Sequence, residues 1–532
     1  MAAFASDFDH SLPYPSSRAP VLAHNVVATS QPLAVQAGIS ILRRGGNAGD
    51  AAVAAAITLT FVEPTSNGIG GDLFAILNSE GELHGLNSSG RSPRSLDPAR
   101  FAGLSAMPRH GWAPVTVPGA VAGWAELSAR FGKVEFPQLF DDAIRYAQDG
   151  FPVSPITAAA WGRAAQVLGD FEDFAAAFLP GGRAPRAGET FRLSDQASTL
   201  RRIAASGGKD FYQGELAGRI AAHAAATGGQ LSEADLAAHR SDWTGVISQA
   251  AFGTELHQIP PNGQGLAALI ALGILAGTDI ASMERDSVPA LHLQIEAMKL
   301  AFADVFRYVC DADFMQLTVD ELLDRDYLAG RAELISGSRA GDYGPGEPRA
   351  GGTVYVSAAD SSGMMVSLIQ SNYMGFGSGI VVPGTGIALQ NRGAGFSVDS
   401  SHPNHVAGGK RPFHTIIPGF LTQGGEPAMS FGVMGGHMQA QGHVQMVLRT
   451  AVWNQNPQAA SDAPRWQVLE DGVIALEAGM PEATVAGLRE LGHRVSVREP
   501  VEFGGAQVIT RLSSGAYMAG SDHRKDGHAA GF

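Results

Sequence analysis

The pattern of apolar and polar positions along the chain changes texture once. Between residues 34 and 61 apolar residues recur at helical spacing on both sides of a Gly45-Gly46 turn, which predicts helix, turn, helix. Asn47, with Asp50 three residues on, reads as an N-terminal cap, and the alanines that follow suit a helix packed closely against a neighbour. Helical spacing also marks 117–130, 136–149, 194–206, 216–227 and 288–309, with loops expected between them and Ser194 as a cap. The stretch 343–352 (YGPGEPRAGG) breaks the pattern, because glycine and proline at that density do not sustain a helix. Beyond it, 353–359 and 364–371 read as two strands joined by an Asp-x-x-Gly turn. Short strand-like runs recur at 386–389, 416–421, 473–476, 494–497, 506–512 and 517–520. The expected class is α+β, helix-rich before residue 352 and strand-rich after it, with one natural joint.

Composition narrows the function. The chain has 532 residues, 45% apolar and 17% charged, which excludes a disordered tail or a coiled coil and suits an enzyme with a large interior. Its 51 acidic and 37 basic residues give a net charge of −14, against a nucleic-acid partner. A single cysteine, Cys310, excludes an internal disulfide and Cys-rich metal sites. The first twenty residues lack the positive charge and apolar core of a signal peptide. The longest apolar run, within 50–62, is too short to cross a bilayer, so no membrane partner is expected and the cytoplasm is the expected compartment. Glycine stands out at 67 residues, well above the usual share of about 7%, with no G-X-Y repeat.

Most familiar chemistry is missing. There is no G-x-S-x-G elbow and no Walker loop, and neither Gly68-Ile-Gly70-Gly71 nor Gly375-Phe-Gly377-Ser-Gly379 has the spacing of a dinucleotide fingerprint. His402, His405, His414, His437 and His443 cluster without a helical His-Glu-x-x-His, so no metal or cofactor is expected. A metal-dependent amidase built on His402, His405 and His414 is the rival reading, and it predicts sensitivity to chelators. Gly351-Gly352-Thr353 is different in kind. Were the bond before Thr353 cut, the new α-amine, with a pKa near about 8, would stand beside a hydroxyl, a built-in base next to a nucleophile. Spacing alone does not show that cut.

Six segments in order resemble the γ-glutamyltranspeptidase family of N-terminal-nucleophile (Ntn) hydrolases. They are residues 45–74 (GGNAGDAAVAAAITLTFVEPTSNGIGGDLF), 117–124 (VPGAVAGW), 260–265 (PPNGQG), 353–380 (TVYVSAADSSGMMVSLIQSNYMGFGSGI), 410–418 (KRPFHTIIP) and 434–441 (MGGHMQAQ). The resemblance implies a four-layer αββα sandwich made as one inactive chain. It implies self-cleavage between Gly352 and Thr353 into a large subunit, 1–352, and a small subunit, 353–532, together one domain, with any further homo-oligomer left open. Thr353 would be nucleophile and, through its α-amine, base; the N–H groups of Gly435 and Gly436 would form the oxyanion hole of an acyl-enzyme mechanism.

The implied substrate pocket departs from the family pattern. The arginine that grips a γ-glutamyl carboxylate falls at Ser89, with Arg91 two residues on; the serine pair reads His414-Thr415; a Gln and an Asp read Arg392 and Gly395. The family asparagine falls at Tyr373, with Asn372 one residue early, and the second threonine is Val354. A cation in place of the carboxylate that pairs with an α-ammonium disfavours an α-amino acyl group. The pattern is similar to the branch that includes oxamate amidohydrolase and touches the glutaryl-type cephalosporin acylases. The expected activity is hydrolysis of a small carboxylate-bearing amide, with Arg91, Arg392, Asn372, Tyr373, His414, Thr415 and Ser89 at the substrate. Glutathione hydrolase or γ-glutamyltransferase activity is the alternative, and a folded relative that never cleaves is a third reading.

Overall fold

The structure, a computed structural model, describes residues 17–343, 352–469 and 471–532. The expectation of a non-helical stretch at 343–352 falls on residues 344–351, which lie outside the described residues.

Two seven-stranded sheets stack face to face. The first has the order His528–Gly531, Val26–Thr29, Gly352–Ala359, Met365–Tyr373, Asp72–Ser79, Glu82–Ser88, Asp242–Trp243. The second runs Val21–Ala23, Tyr517–Ser521, Ala506–Arg511, Glu426–Val433, Gly419–Gln423, Thr254–Gln258, Ile247–Ala251. Period-two alternation explains the layering. Along Gly352–Ala359, Val354, Val356 and Ala358 face a helical layer, while Tyr355 and Ala359 face the other sheet. Helices Ala48–Val62 and Ala120–Phe131 cover the first sheet, and Gly265–Ala276, Val288–Tyr308 and Met438–Val447 cover the second. The result is the αββα sandwich. Its inter-sheet core includes Phe74, Ile76, Tyr355, Ile369, Phe420 and Ile509.

The 34–61 prediction resolves into Pro32–Arg43 and Ala48–Val62, the second opened by a reciprocal Asn47–Asp50 capping box. The 194–206 helix has its expected bounds, but Ser194 is its first helical residue and makes no capping bond; Leu193 precedes it. Larger differences lie in the first half of the chain. Asp72–Ser79, Glu82–Ser88, Ile247–Ala251 and Thr254–Gln258 are strands that add to both sheets. Asp72–Ser79 is buried almost throughout, so it lacks the alternation of a half-buried strand. Helix Gly265–Ala276 is apolar on nearly every side, because it is enclosed, and therefore shows no amphipathic period.

Candidate active site

Thr353 opens a central strand of the first sheet, beside a register shift between Gly352 and Val354 opposite Tyr373. It has the parity of Tyr355 and so faces the second sheet. Its hydroxyl donates toward Ser371 Oγ at 3.4 Å and accepts from Gln439 Nε2 at 3.2 Å. Gln439 is oriented in turn, its Oε1 accepting from the Ile417 N–H at 3.0 Å. Thr353 lines a cavity of about 440 Å³ together with Met374, Gly375, Gly435 and His437. Arg163, Arg498 and Lys525 stand in the same wall, with Glu502 as its carboxylate.

Gly435 and Gly436 join the strand Glu426–Val433 to the helix Met438–Val447 at φ of 112° and 63°, a region that favours glycine. Their carbonyls accept from Met438 and Gln439 at the helix start. Among the described residues neither glycine N–H donates to a protein acceptor. Gln264 anchors this loop. Its Nε2 donates to the carbonyls of Gly436 (2.9 Å) and Thr415 (2.6 Å), and its Oε1 accepts from His437 Nδ1 at 2.9 Å.

A second, buried cluster lies next to it. Arg392 is fully enclosed; its Nη1 donates to Thr415 Oγ1 at 2.8 Å, and its guanidinium lies 4.2 Å from the centre of the Tyr373 ring. Among the described residues its Nε and Nη2 have no hydrogen-bond partner. Burial draws its pKa down to about 10, against the pull of Asp72. Asp72 Oδ1 accepts from the N–H groups of Gly90 and Gly119 and from Gln390, while Oδ2 accepts from His414 Nε2 at 3.0 Å. Both glycines are needed here: a Cβ would stand 1.6 Å from the Val117 carbonyl oxygen at Gly90 and 1.8 Å from that of Ser88 at Gly119. Burial raises the Asp72 carboxyl to about 7, opposed first by Arg392, and it pushes His414 well below its usual value. His414 is thus a neutral donor, with Nδ1 accepting from Ile416 at 3.3 Å.

Not every expected site residue gathers here. Ser89 is buried against Asn87 and Asn262. Asn372 supports its own loop through the carbonyl of Phe376. Arg91 is held by Asp311 (2.6 Å) and the Gly409 carbonyl, and lines a separate cavity of about 300 Å³ with Arg94, His239 and Arg411. Tyr373 and Gly395 line a third, of about 600 Å³, which shares His437 as a lining residue with the Thr353 cavity. A Cβ at Gly395 would stand 2.6 Å from the Phe413 carbonyl oxygen, so the family aspartate has no room there. The histidines do not converge as a metal centre: His414 serves Asp72, and His402 bonds the Phe306 carbonyl and the Asn404 N–H. Gln439 and Gln264 were missed as site residues. Both sit inside segments that carry the resemblance, but nothing in their spacing signals a role.

An αββα sandwich with a threonine at the start of a central strand, in one cavity with a glycine of the strand-to-helix turn, is the architecture of the Ntn-hydrolase class. Residues 34–532 match the family model of gamma-glutamyltranspeptidase, and the chain belongs to that family. It is 36% identical to an oxamate amidohydrolase proenzyme of Klebsiella pneumoniae, over 96% of this chain and 99% of the relative. It is 35% identical to the glutathione hydrolase-like YwrD proenzyme of Bacillus subtilis, over 95% and 98%. The solved structure of a cephalosporin acylase from Bacillus halodurans superposes with a TM-score of 0.94 at 46% identity, covering 99% of each chain. The protein is an amidohydrolase of this family. Among the described residues no helix is long and apolar enough to cross a membrane.

Proposed function

We propose that the chain is cut before Thr353 and then hydrolyses a small amide whose acyl group carries a carboxylate, through an acyl-enzyme. Thr353 Oγ1 attacks the carbonyl, the α-amine freed by the cut takes its proton, and the N–H groups of Gly435 and Gly436 bind the oxyanion. The α-amine, now protonated, gives its proton to the departing amine, and water releases the acid. Gln439 holds the hydroxyl in place. The proenzyme names of the relatives support the processing step.

The observation that carries the substrate class is Arg392: a buried cation with two nitrogens, Nε and Nη2, that have no partner among the described residues. Buried donors ordinarily find partners, so such a group is poised for an anion from outside the chain. Arg392 lines neither cavity, but Tyr373, whose ring covers it, lines the larger one. A carboxylate reaches the guanidinium from there when that ring swings aside. The site offers no acidic partner at Gly395 for an α-ammonium. Glutaryl amides should therefore exceed γ-glutamyl amides by about ten- to 150-fold in kcat/KM, the value of one charge-assisted hydrogen bond.

Intact mass and a substrate panel test the proposal together. Wild type should yield two chains, Thr353→Ala one inactive chain, and Thr353→Ser some processing. Cleavage before residue 353 in Thr353→Ala would sink the Ntn mechanism. A wild-type preference for the γ-glutamyl anilide would sink the substrate class and leave glutathione-type activity.

A further inference from the structure

Far along the outer helical layer, three buried side chains meet whose hydrogen bonds do not close. His292 and Glu296 are one turn apart on the helix Val288–Tyr308, and His493 follows the helix Glu482–Glu490. His292 Nε2 lies 2.7 Å from the Ser336 carbonyl oxygen. A carbonyl only accepts, so the His292 proton is on Nε2 and its Nδ1 keeps a lone pair. That Nδ1 lies 2.8 Å from His493 Nε2, which must carry the proton of its own ring. His493 Nδ1 is left as a second lone pair, buried, without a partner among the described residues, and 3.9 Å from Glu296 Oε1. Two acceptors facing each other away from water are unfavourable unless a cation joins them. Lys299 reaches Glu296 Oε1 at 2.7 Å but does not bond His493.

We propose that His292, Glu296 and His493 bind a divalent transition-metal ion of the zinc class. Two imidazoles and one carboxylate are a donor set that zinc accepts. One ligand atom from each residue lies within 4.8 Å of the others. Ligands about 2.1 Å from a tetrahedral ion sit roughly 3.4 Å apart. With His493 Nδ1 as the donor that faces Glu296, the 3.9 Å gap needs to close by about half an ångström. The 2.8 Å bond from His493 Nε2 to His292 Nδ1 breaks as the His493 ring turns, because His292 Nδ1 then turns its lone pair to the ion. The Ser336 carbonyl on the far nitrogen of His292 is the kind of outer partner that fixes a metal-bound imidazole. Glu296 Oε2 also accepts from the Gly341 N–H and the Tyr343 hydroxyl. The ion would thus tie the long helix and the residue after a second helix to the chain that leads toward Thr353. Its role is structural, and the ligands stand apart from the groups that carry the hydrolysis.

The test is a cobalt and zinc titration of the purified full-length protein after chelator treatment. Wild type should take up one equivalent of cobalt with the visible band of a four-coordinate ion, and zinc should displace it and raise Tm. His493→Gln should bind at least tenfold more weakly, and His24→Gln, an exposed control, as wild type does. Lys299→Met, which removes a competing cation, should bind at least tenfold more tightly. No cobalt band in wild type, or equal uptake by wild type and His493→Gln, overturns the proposal. If His493→Gln does not yield soluble protein, Lys299→Met decides: affinity equal to or below that of wild type overturns it.

Discussion

Two buried arginine–carboxylate clusters in this molecule differ in one respect. Around Arg465, Asp522, Arg524 and Glu477 the donors and acceptors close on one another. Arg465 Nη2 and Arg524 Nη1 reach Asp522 at 2.6 and 3.1 Å, and Arg524 grips both oxygens of Glu477 at 2.7 and 2.6 Å. Further N–H groups end on the carbonyls of Ser461, Ala463 and Phe503. Around Arg392 and Asp72 the carboxylate is satisfied and the guanidinium is not. Burial is complete in both places, so the difference does not come from solvent. A closed network fastens the second sheet to the helix Pro457–Asp462; the open one is, on the function proposed above, left for the carboxylate of the substrate.

Breaking each cluster should separate the two roles. Asp522→Ala strands two buried guanidinium groups and should destabilise the fold by about 3–5 kcal/mol in denaturant unfolding. Arg392→Met should change stability less than that, yet reduce kcat/KM for an anionic amide by about ten- to 150-fold, mainly through KM. Self-cleavage should survive. A large stability loss with unchanged kinetics in Arg392→Met would show that the open cluster is structural after all.

Gln439→Leu sharpens the assignment of the nucleophile's support. It removes the donor to Thr353 Oγ1 and should lower kcat about tenfold, with KM nearly constant. A change confined to KM would place Gln439 in binding instead.

The two clusters should also respond to pH with opposite sign. Burial raises Asp72 to about 7, so the folded chain keeps a proton that the unfolded chain loses near about 4. Stability from this group therefore falls as pH rises from about 4 to about 7. For Asp522, burial acts upward but Arg465 and Arg524 outweigh it and hold the carboxyl well below the usual range. Its contribution is complete above about 4 and is lost as pH falls below that. Tm measured against pH should show the downward slope between about 4 and 7 reduced in Asp72→Asn and retained in Asp522→Ala. An unchanged slope in Asp72→Asn would remove the assignment.

Arg91 gives the smallest effect. Its pair with Asp311 is partly exposed, and Asp311 also accepts from the Arg411 N–H at 2.9 Å. Arg91→Met should cost no more than about 1 kcal/mol and leave kcat/KM for small amides within about twofold. A tenfold loss would return Arg91 to the substrate site.

Sequence alone settled what depends on short range. The capping box at Asn47, the paired strands on either side of the Asp-x-x-Gly turn, and the glycines at 435 and 436 are local requirements of the backbone. The residues that carry them are legible without a fold. The ordered segments also gave the family and the αββα class, because each segment holds a loop whose shape tolerates few residue types.

Tertiary structure decided what depends on meetings between distant residues. Asp72 reaches His414 across 342 positions and Gln439 reaches Thr353 across 86, and nothing in their local spacing announces either contact. The same holds for His292 and His493, which lie 201 positions apart and outside the histidine cluster that local spacing singled out. It also decided that Arg392 is an open donor while Arg91 is a paired one. Both are arginines in glycine- and serine-rich loops, and only the acceptors placed around each by the folded chain distinguish them. The enclosed helix Gly265–Ala276 and the buried strand Asp72–Ser79 escaped for a related reason. Periodicity records a boundary between protein and water, and elements surrounded by protein have none to record.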